Sequence, residues 1–246
     1  MTATQNLVDS LADLPESKLV YISTDSVYGG QKGSFQECDQ PAPYNYYGKS
    51  KLEGELVVLK KEDSLVLRTN IFGWNIQDKT SLGEWVLKGL KGGKQIKGFT
   101  DARVSTIYTC ELAKIIYLSL KKELSGTYNC ASKDSCSKYE FALKLAHWFG
   151  YDKDLIQPIS IDQYYFKTRR VKDLSLCVNK IEKDLITKEN NLNSKKNIIE
   201  KKEFEKKIMD LKNDIKNYRL DRNKSMDVIN KIKINKTKKI LKHLNP

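Results

Sequence analysis

The chain has 246 residues, 39% of them apolar, with 44 Lys and Arg against 31 Asp and Glu for a formal net charge of +13. That length holds one large domain or a domain with an appendage, and with no apolar run of about 18 residues and no leader pattern, neither membrane spanning nor secretion is expected. Residues 186–246 carry 18 of the basic and 8 of the acidic residues, a net +10 of the +13, so the basicity belongs to the tail and a nucleic-acid-binding reading of the preceding body is unnecessary.

The predicted elements alternate. Residues 3–13 read as an amphipathic helix with Leu7, Leu11 and Leu14 on one side. Leu19-Val20-Tyr21-Ile22-Ser23-Thr24 is an apolar run of strand type, residues 18–24, ending in two hydroxyl residues. The C-terminal ends of parallel strands are where α/β proteins place their ligands. A loop with Pro41 and Pro43 leads to a helix over 45–60, then a strand over 64–69 and a helix over 81–91. There follow a strand near 94–98, a helix over 109–122, a strand over 126–131, a helix over 137–149, a short strand near 156–160 and a helix over 178–184. The order predicts an α/β fold, a partial Rossmann-like parallel sheet over residues 1–185 with a smaller lobe, followed by a Lys-rich helical extension over 186–246.

On the helix over 45–60, Tyr47 and Lys51 stand four apart and so share a face. A free tyrosine titrates near ~10, and an ammonium a few ångströms away in a partly dry site favours the phenolate, which makes the phenol usable in proton transfer. Thr24 then supplies a hydroxyl to hold a substrate oxygen. A Tyr and a Lys at this spacing are common on solvated helix faces, so the pair gains its meaning from what surrounds it.

The surroundings are V-Y-I-S-T-D-S-V-Y-G, then E-x-D-x-P-x-P-x-x-x-Y-G-K-S-K-L-x-G-E, then L-V-L-R-T-N-I-F-G. These segments, in this order, resemble the extended short-chain dehydrogenase/reductases, and most of all their dTDP-4-dehydrorhamnose reductase branch. The likeness runs from residue 1 to about 185. Later parts also fit: Ala102-Arg103-Val104-Ser105-Thr106 before Glu111-Leu112-Ala113, then Gly126-Thr127-Tyr128-Asn129 and Tyr139-Glu140-Phe141-Ala142.

The resemblance implies NAD(P)-dependent reduction of a nucleotide-linked 4-keto sugar. Thr24, Tyr47 and Lys51 match the catalytic positions, and Ser23, Tyr47, Lys51, Arg68 and Asn70 those beside NAD or NADP. Asp25, Arg103 and Arg170 match positions beside the substrate, where a guanidinium forks onto phosphate oxygens. Bland alternatives stand next to these roles: Thr24 as a turn cap, Asp25 as a solvated turn residue, Arg68 as a surface ion-pair partner, and Arg103 and Arg170 as surface arginines. The chain departs from the pattern at Val171, where a proline usually follows the arginine. The same machinery serves a nucleotide-sugar epimerase or dehydratase, and a non-catalytic sugar-nucleotide-binding or regulatory subunit would keep much of it.

The Gly-rich strand-turn-helix of a dinucleotide site is not found in the sequence. Gly29-Gly30-Gln31-Lys32-Gly33 and Gly89-Leu90-Lys91-Gly92-Gly93-Lys94 have the wrong spacing and context and read as turns. A truncated reading frame is the favoured explanation, with a separate N-terminal half as partner and a non-catalytic descendant as alternatives. Each implies doubtful cofactor binding by the isolated chain, little turnover, and an exposed sheet edge that makes it insoluble or dependent on a partner or homo-oligomer.

The tail supports a heptad with a at Ile208, Ile215 and Ile229 and d at Phe204, Leu211, Tyr218 and Ile232, interrupted by Lys201, Arg222, Ser225 and Lys236. It reads as a helical hairpin or short coiled coil over about 195–233, or equally as a solvated Lys-rich helix able to bind polyanions. Cys38, Cys110, Cys130, Cys136 and Cys177 show no C-x-x-C spacing, which favours reduced, mostly buried thiols in a cytoplasmic protein. His147 and His243 cannot furnish a metal site by themselves, and none is expected.

Overall fold

The computed structural model describes residues 2–14, 16–29, 32–75, 80–166 and 170–190. The elements in chain order are α1 (Thr2–Ser10), β1 (Val20–Ile22), α2 (Tyr46–Val58), β2 (Leu65–Arg68), β3 (Ile71–Phe72), α3 (Leu82–Lys91), β4 (Ile96–Phe99), β5 (Arg103–Val104), β6 (Ile107–Tyr108), α4 (Thr109–Lys121), β7 (Gly126–Asn129), β8 (Cys136–Ser137), α5 (Lys138–Phe149), β9 (Ile156–Ile159), β10 (Asp173–Leu174) and α6 (Asn179–Asn190). The heptad over 195–233 lies outside the described residues.

The central sheet is parallel, in the order β1-β2-β7, with Val20 opposite Leu65 and Leu65 opposite Gly126. All four residues of β2 are buried, as a strand apolar on both faces requires when it lies between two neighbours. Leu65, Leu67, Ile107, Leu112, Leu124, Tyr128 and Ile181 form the core on which α4 and α6 pack. A second core, with Val86, Leu90, Ile96, Ala142, Ala146 and Ile156, joins α3 and α5 to the parallel pair β4-β9. The chain alternates between these two groups of elements. The two-residue strands β3, β5, β6, β8 and β10, absent from the sequence reading, pair as β3-β6 and β10-β5-β8 and stitch the groups together.

Two expectations change and one holds. The first helix ends at Ser10, and Leu7 and Leu14 remain 49% and 56% exposed because α2 is the principal element packed on it. Among the five free cysteines only Cys130 is buried; Cys38 sits in a surface turn and Cys110 on the open side of the first turn of α4. The Gly89–Lys94 segment is indeed a helix terminus, with Gly93 at a φ of 64° and the Lys94 amide donating to the Gly89 carbonyl at 3.0 Å. Among the described residues no helix is long and apolar enough to cross a membrane.

Candidate active site

Of the predicted site residues, Ser23, Thr24, Asp25, Arg68 and Asn70 lie at the C-terminal ends of β1 and β2. β1 runs into Ser23, Thr24 and a short 3-10 turn over Asp25–Val27, and the Asp25 amide donates to the Thr69 carbonyl at 3.1 Å, tying the turn to the end of β2. Thr24 does cap this turn: its hydroxyl oxygen accepts from the Ser26 amide at 3.2 Å, while its proton is directed to Asp25 Oδ1 at 3.1 Å. Asp25 is not a solvated turn residue, being only 2% exposed. Asn70 donates to its Oδ2 at 2.5 Å and Ser26 to its Oδ1 at 3.2 Å. Burial pushes the Asp25 carboxyl above its ordinary value, against the opposing pull of these hydrogen bonds and of Lys138.

α2 presents the second half of the site. Asn45 caps it, accepting from the Gly48 amide at 2.8 Å, and a Cβ on Gly48 would stand 2.2 Å from the Ser26 carbonyl oxygen. Glycine therefore lets the helix press against the turn that carries Thr24 and Asp25. Tyr47, Lys51 and Glu55 follow at i, i+4 and i+8 on one face and descend in depth: Tyr47 is 56% exposed, Lys51 half-buried and Glu55 1% exposed. Lys51 directs its ammonium to the Ile22 carbonyl at 2.6 Å and lies 4.0 Å from the centroid of the Tyr21 ring, not against the Tyr47 phenol. Burial lowers the Lys51 ammonium from its usual range, and Glu55 opposes the shift.

Glu55, which sequence reasoning missed, organises what lies beneath. It accepts from the Ser23 hydroxyl and, at 2.7 to 3.1 Å, from the Nε and NH2 groups of Arg68. The other arm of Arg68 donates to the Tyr28 hydroxyl at 2.8 Å, and that hydroxyl donates in turn towards the Gln36 carbonyl at 2.8 Å and Asn129 Oδ1 at 3.2 Å. Arg68 is thus a buried ion-pair partner, not a surface one, and its guanidinium is spent inside the protein. The signal available in the sequence was the position of Glu55, one further helical turn along the Tyr47–Lys51 face.

Asp25, Asn70, Arg103 and Arg170 line one polar cavity of about 220 Å³, together with Asn45 and Lys138. Arg103 is held by the Ser135 carbonyl and hydroxyl at 3.0 and 3.1 Å and lies 3.6 Å from Glu140. Lys138 was also missed; a capping box between Ser137 and Glu140 starts α5 and puts Lys138 at its first position. A larger chamber of about 560 Å³, lined by Tyr44, Tyr164, Phe166 and Lys172 among others, shares Tyr44, Arg170 and Val171 with the smaller one.

A half-exposed phenol, Tyr47, and a lysine ammonium, Lys51, stand on one helical face at the end of β1, the kind of donors that the hydroxyls of a ribose accept from. Among the described residues there is no Gly-rich strand-turn-helix to cradle a pyrophosphate. No group of His, Cys, Asp and Glu among the described residues is arranged to hold a metal ion.

The chain is similar to several known proteins. The probable low-salt glycan biosynthesis reductase Agl14 of Haloferax volcanii is 29% identical over 181 residues, 72% of this chain and 60% of that protein. Methionine adenosyltransferase 2 subunit beta of Danio rerio is 28% identical over 152 residues, 58% of this chain and 47% of its own length. The chain therefore spans about half to three-fifths of these curated relatives. A crystal structure of dTDP-4-dehydrorhamnose reductase from Bacillus anthracis in complex with NADP superposes with a TM-score of 0.66 at 26% identity, covering 75% of this chain and 69% of that one. Residues 1–202 match the model of the RmlD substrate binding domain, and the chain belongs to that family.

Proposed function

We propose that this chain carries the proton-transfer and substrate-binding portion of an NAD(P)-dependent reductase acting on a nucleotide-linked 4-keto sugar. The observation that carries this reading is the convergence of Asp25, Asn70, Arg103 and Arg170 on one cavity, with Thr24 hydrogen-bonded to Asp25 at its floor and α2 pressed on the same turn. A bound NAD(P)H supplies hydride to the carbonyl carbon. Tyr47 gives its hydroxyl proton to the carbonyl oxygen, and Lys51 holds positive charge below it at the end of β1. Thr24 redirects its proton from Asp25 to the same oxygen, helping to position it. Arg103 and Arg170 meet the phosphates, and the larger chamber takes the nucleoside.

The reading is tested by calorimetric titration of the full chain with a dTDP-linked 4-keto sugar in the absence of cofactor, which is expected to show saturable binding. Where NADPH oxidation accompanies binding, Tyr47→Phe is expected to lower turnover by about 10²–10⁴-fold, the scale of a general-acid contribution. Absence of sugar-nucleotide binding overturns the proposal.

A second reading, a sugar-nucleotide-binding subunit without turnover, is favoured by the likeness to a methionine adenosyltransferase subunit. It predicts the same binding, no NADPH oxidation, and stable association with a separate catalytic protein.

A further inference from the structure

Tyr21 stands under the Tyr47–Lys51 face of α2 and does not line the polar cavity. Neighbouring strand residues point to opposite sides of a sheet. Val20 and Ile22 pack on the core that holds Leu65 and Leu67, and Tyr21, paired opposite Val66, turns to the other side, where α2 lies. A Cβ on Gly54 would stand 2.2 Å from the Tyr21 hydroxyl oxygen, so glycine at this position opens the slot in which the phenol sits. The same hydroxyl donates to the Lys51 backbone carbonyl at 3.4 Å. The ring is therefore wedged between β1 and the stretch of helix that carries Lys51.

Lys51 lies over this ring, its ammonium 4.0 Å from the centroid, while it donates to the Ile22 carbonyl at 2.6 Å. A cation is attracted to the negative face of an aromatic ring, and the attraction grows as water is removed. Burial lowers the Lys51 ammonium from its usual range, so contacts that favour the charged form matter here. Glu55, one turn further along α2, gives such support at longer range, but its carboxylate is already engaged by Arg68 of β2 and by Ser23. α1, also packed on α2, brings Asp9, whose carboxylate accepts from Gln5 at 2.7 Å. Burial, and then Glu55 and Tyr47, push the Tyr21 phenol above its ordinary value, so the ring beneath the ammonium stays neutral and acts through its face rather than as a rival phenolate. A lysine stem is long and flexible, and one carbonyl by itself does not fix its path.

We propose that Tyr21 is a positioning residue, whose ring is the seat that holds the Lys51 ammonium at the end of β1, on the side of α2 that carries Tyr47. The proposal rests on the reductase reading for the use to which the ammonium is put; the seat itself is a property of the free chain. Tyr21 acts through Lys51 and touches neither the cavity nor the reacting carbonyl.

The test is competitive acylation of the full chain over a pH series, with each lysine followed by peptide mass spectrometry. The reagent attacks only the neutral amine, so the profile gives the titration midpoint of Lys51, and the exposed Lys49 on the same helix serves as internal standard. Tyr21→Leu is expected to lower the Lys51 midpoint, raising its neutral fraction at a given pH by about fivefold or more, the scale of a cation–π contact at a partly desolvated site. Tyr21→Phe keeps the ring and should stay within about twofold of the parent. A ring-fluorinated phenylalanine at this position keeps the shape but weakens the negative face, and should fall between the two; it decides the matter if Tyr21→Leu does not fold. Lys49 should titrate alike in every variant. The seat is overturned if the fluorinated ring leaves the Lys51 midpoint at the Tyr21→Phe value, or if Tyr21→Phe lowers it as far as Tyr21→Leu, which would assign the effect to the hydroxyl. Where the chain oxidises NADPH, the alkaline limb of turnover should move to lower pH in Tyr21→Leu together with the Lys51 midpoint. If the midpoint moves as expected and NADPH does not bind, the seat stands and the reductase reading falls.

Discussion

Glu55 and Arg68 meet inside the protein as a closed pair: both carboxylate oxygens accept from Arg68 Nε at 3.1 Å, and Oε2 accepts from NH2 at 2.7 Å, with side-chain exposures of 1% and 6%. The pair joins α2 to β2, and through Ser23 and Tyr28 it reaches the end of β1 and the loop beyond. Removing one partner leaves a buried charge uncompensated. Arg68→Met or Glu55→Gln is expected to cost about 3–5 kcal/mol in urea unfolding. The double variant Glu55→Leu with Arg68→Met should recover part of that loss, and not all, because the Ser23 hydroxyl loses its acceptor and the Tyr28 hydroxyl loses the donor it accepts from. Additive single losses would contradict the coupling.

Gly48 sets how closely α2 approaches the turn after β1. An alanine Cβ would lie 2.2 Å from the Ser26 carbonyl oxygen and 2.9 Å from Pro43 Cβ, and the first contact is with backbone that cannot swing away. Gly48→Ala is expected to destabilise the fold by about 1–3 kcal/mol, the scale of overpacking. It should also weaken nucleotide-sugar binding, since Ser26 and Asn45 line the polar cavity. A variant with unchanged unfolding midpoint and unchanged affinity would show that the approach has no bearing on the site.

The capping carboxylate of α3 has a pH signature of its own. Glu84 accepts from the Ser81 and Asn75 amides at 2.8 and 2.9 Å, and these bonds pull its carboxyl from 4.5 down to about 2. A depressed carboxyl contributes stability that is complete above its ordinary value and is lost as pH falls towards about 2. The stability gap between the parent and Glu84→Gln should therefore shrink across that interval. A gap that stays constant over it would rule the carboxylate out as the source.

Asp25 behaves in the opposite sense. Burial raises its carboxyl, so the folded state binds a proton more readily than the unfolded one, and stability falls as pH rises from the ordinary carboxyl value through the raised one. Asn70, Thr24, Ser26 and Lys138 face the group and oppose the shift without reversing it. Asp25→Asn cannot ionise, so thermal melts over a pH series should show the variant gaining on the parent as pH rises. A pH-independent difference would refute the assignment.

The alternation of elements was legible because each long segment carries its own period and punctuation. Leu65-Val66-Leu67 is apolar at consecutive positions, as a doubly covered strand must be, and Asn45, Ser81 and Ser137 each stand where a helix begins. Thr24, Tyr47 and Lys51 were legible as a group because their spacing follows from one strand end and one helical face. The two-residue strands were not, since two residues have no period; β5 exists because Arg103 and Val104 find Asp173, Leu174, Cys136 and Ser137 alongside.

The sequence by itself determined the order of the long helices and strands, the placing of Tyr47 and Lys51 on one helical face, and the excess of positive charge in residues 186–246. Those properties are local, decided within a few residues by period, capping and composition. Only the tertiary structure decided that Ser23 and Arg68 both turn inward to Glu55, that Asp25 is buried against Asn70, and that Lys138 shares a cavity with an arginine 32 positions away. Such outcomes depend on which side chain reaches a buried partner first in three dimensions, and the cost of leaving a buried charge or hydroxyl unpaired fixes the result.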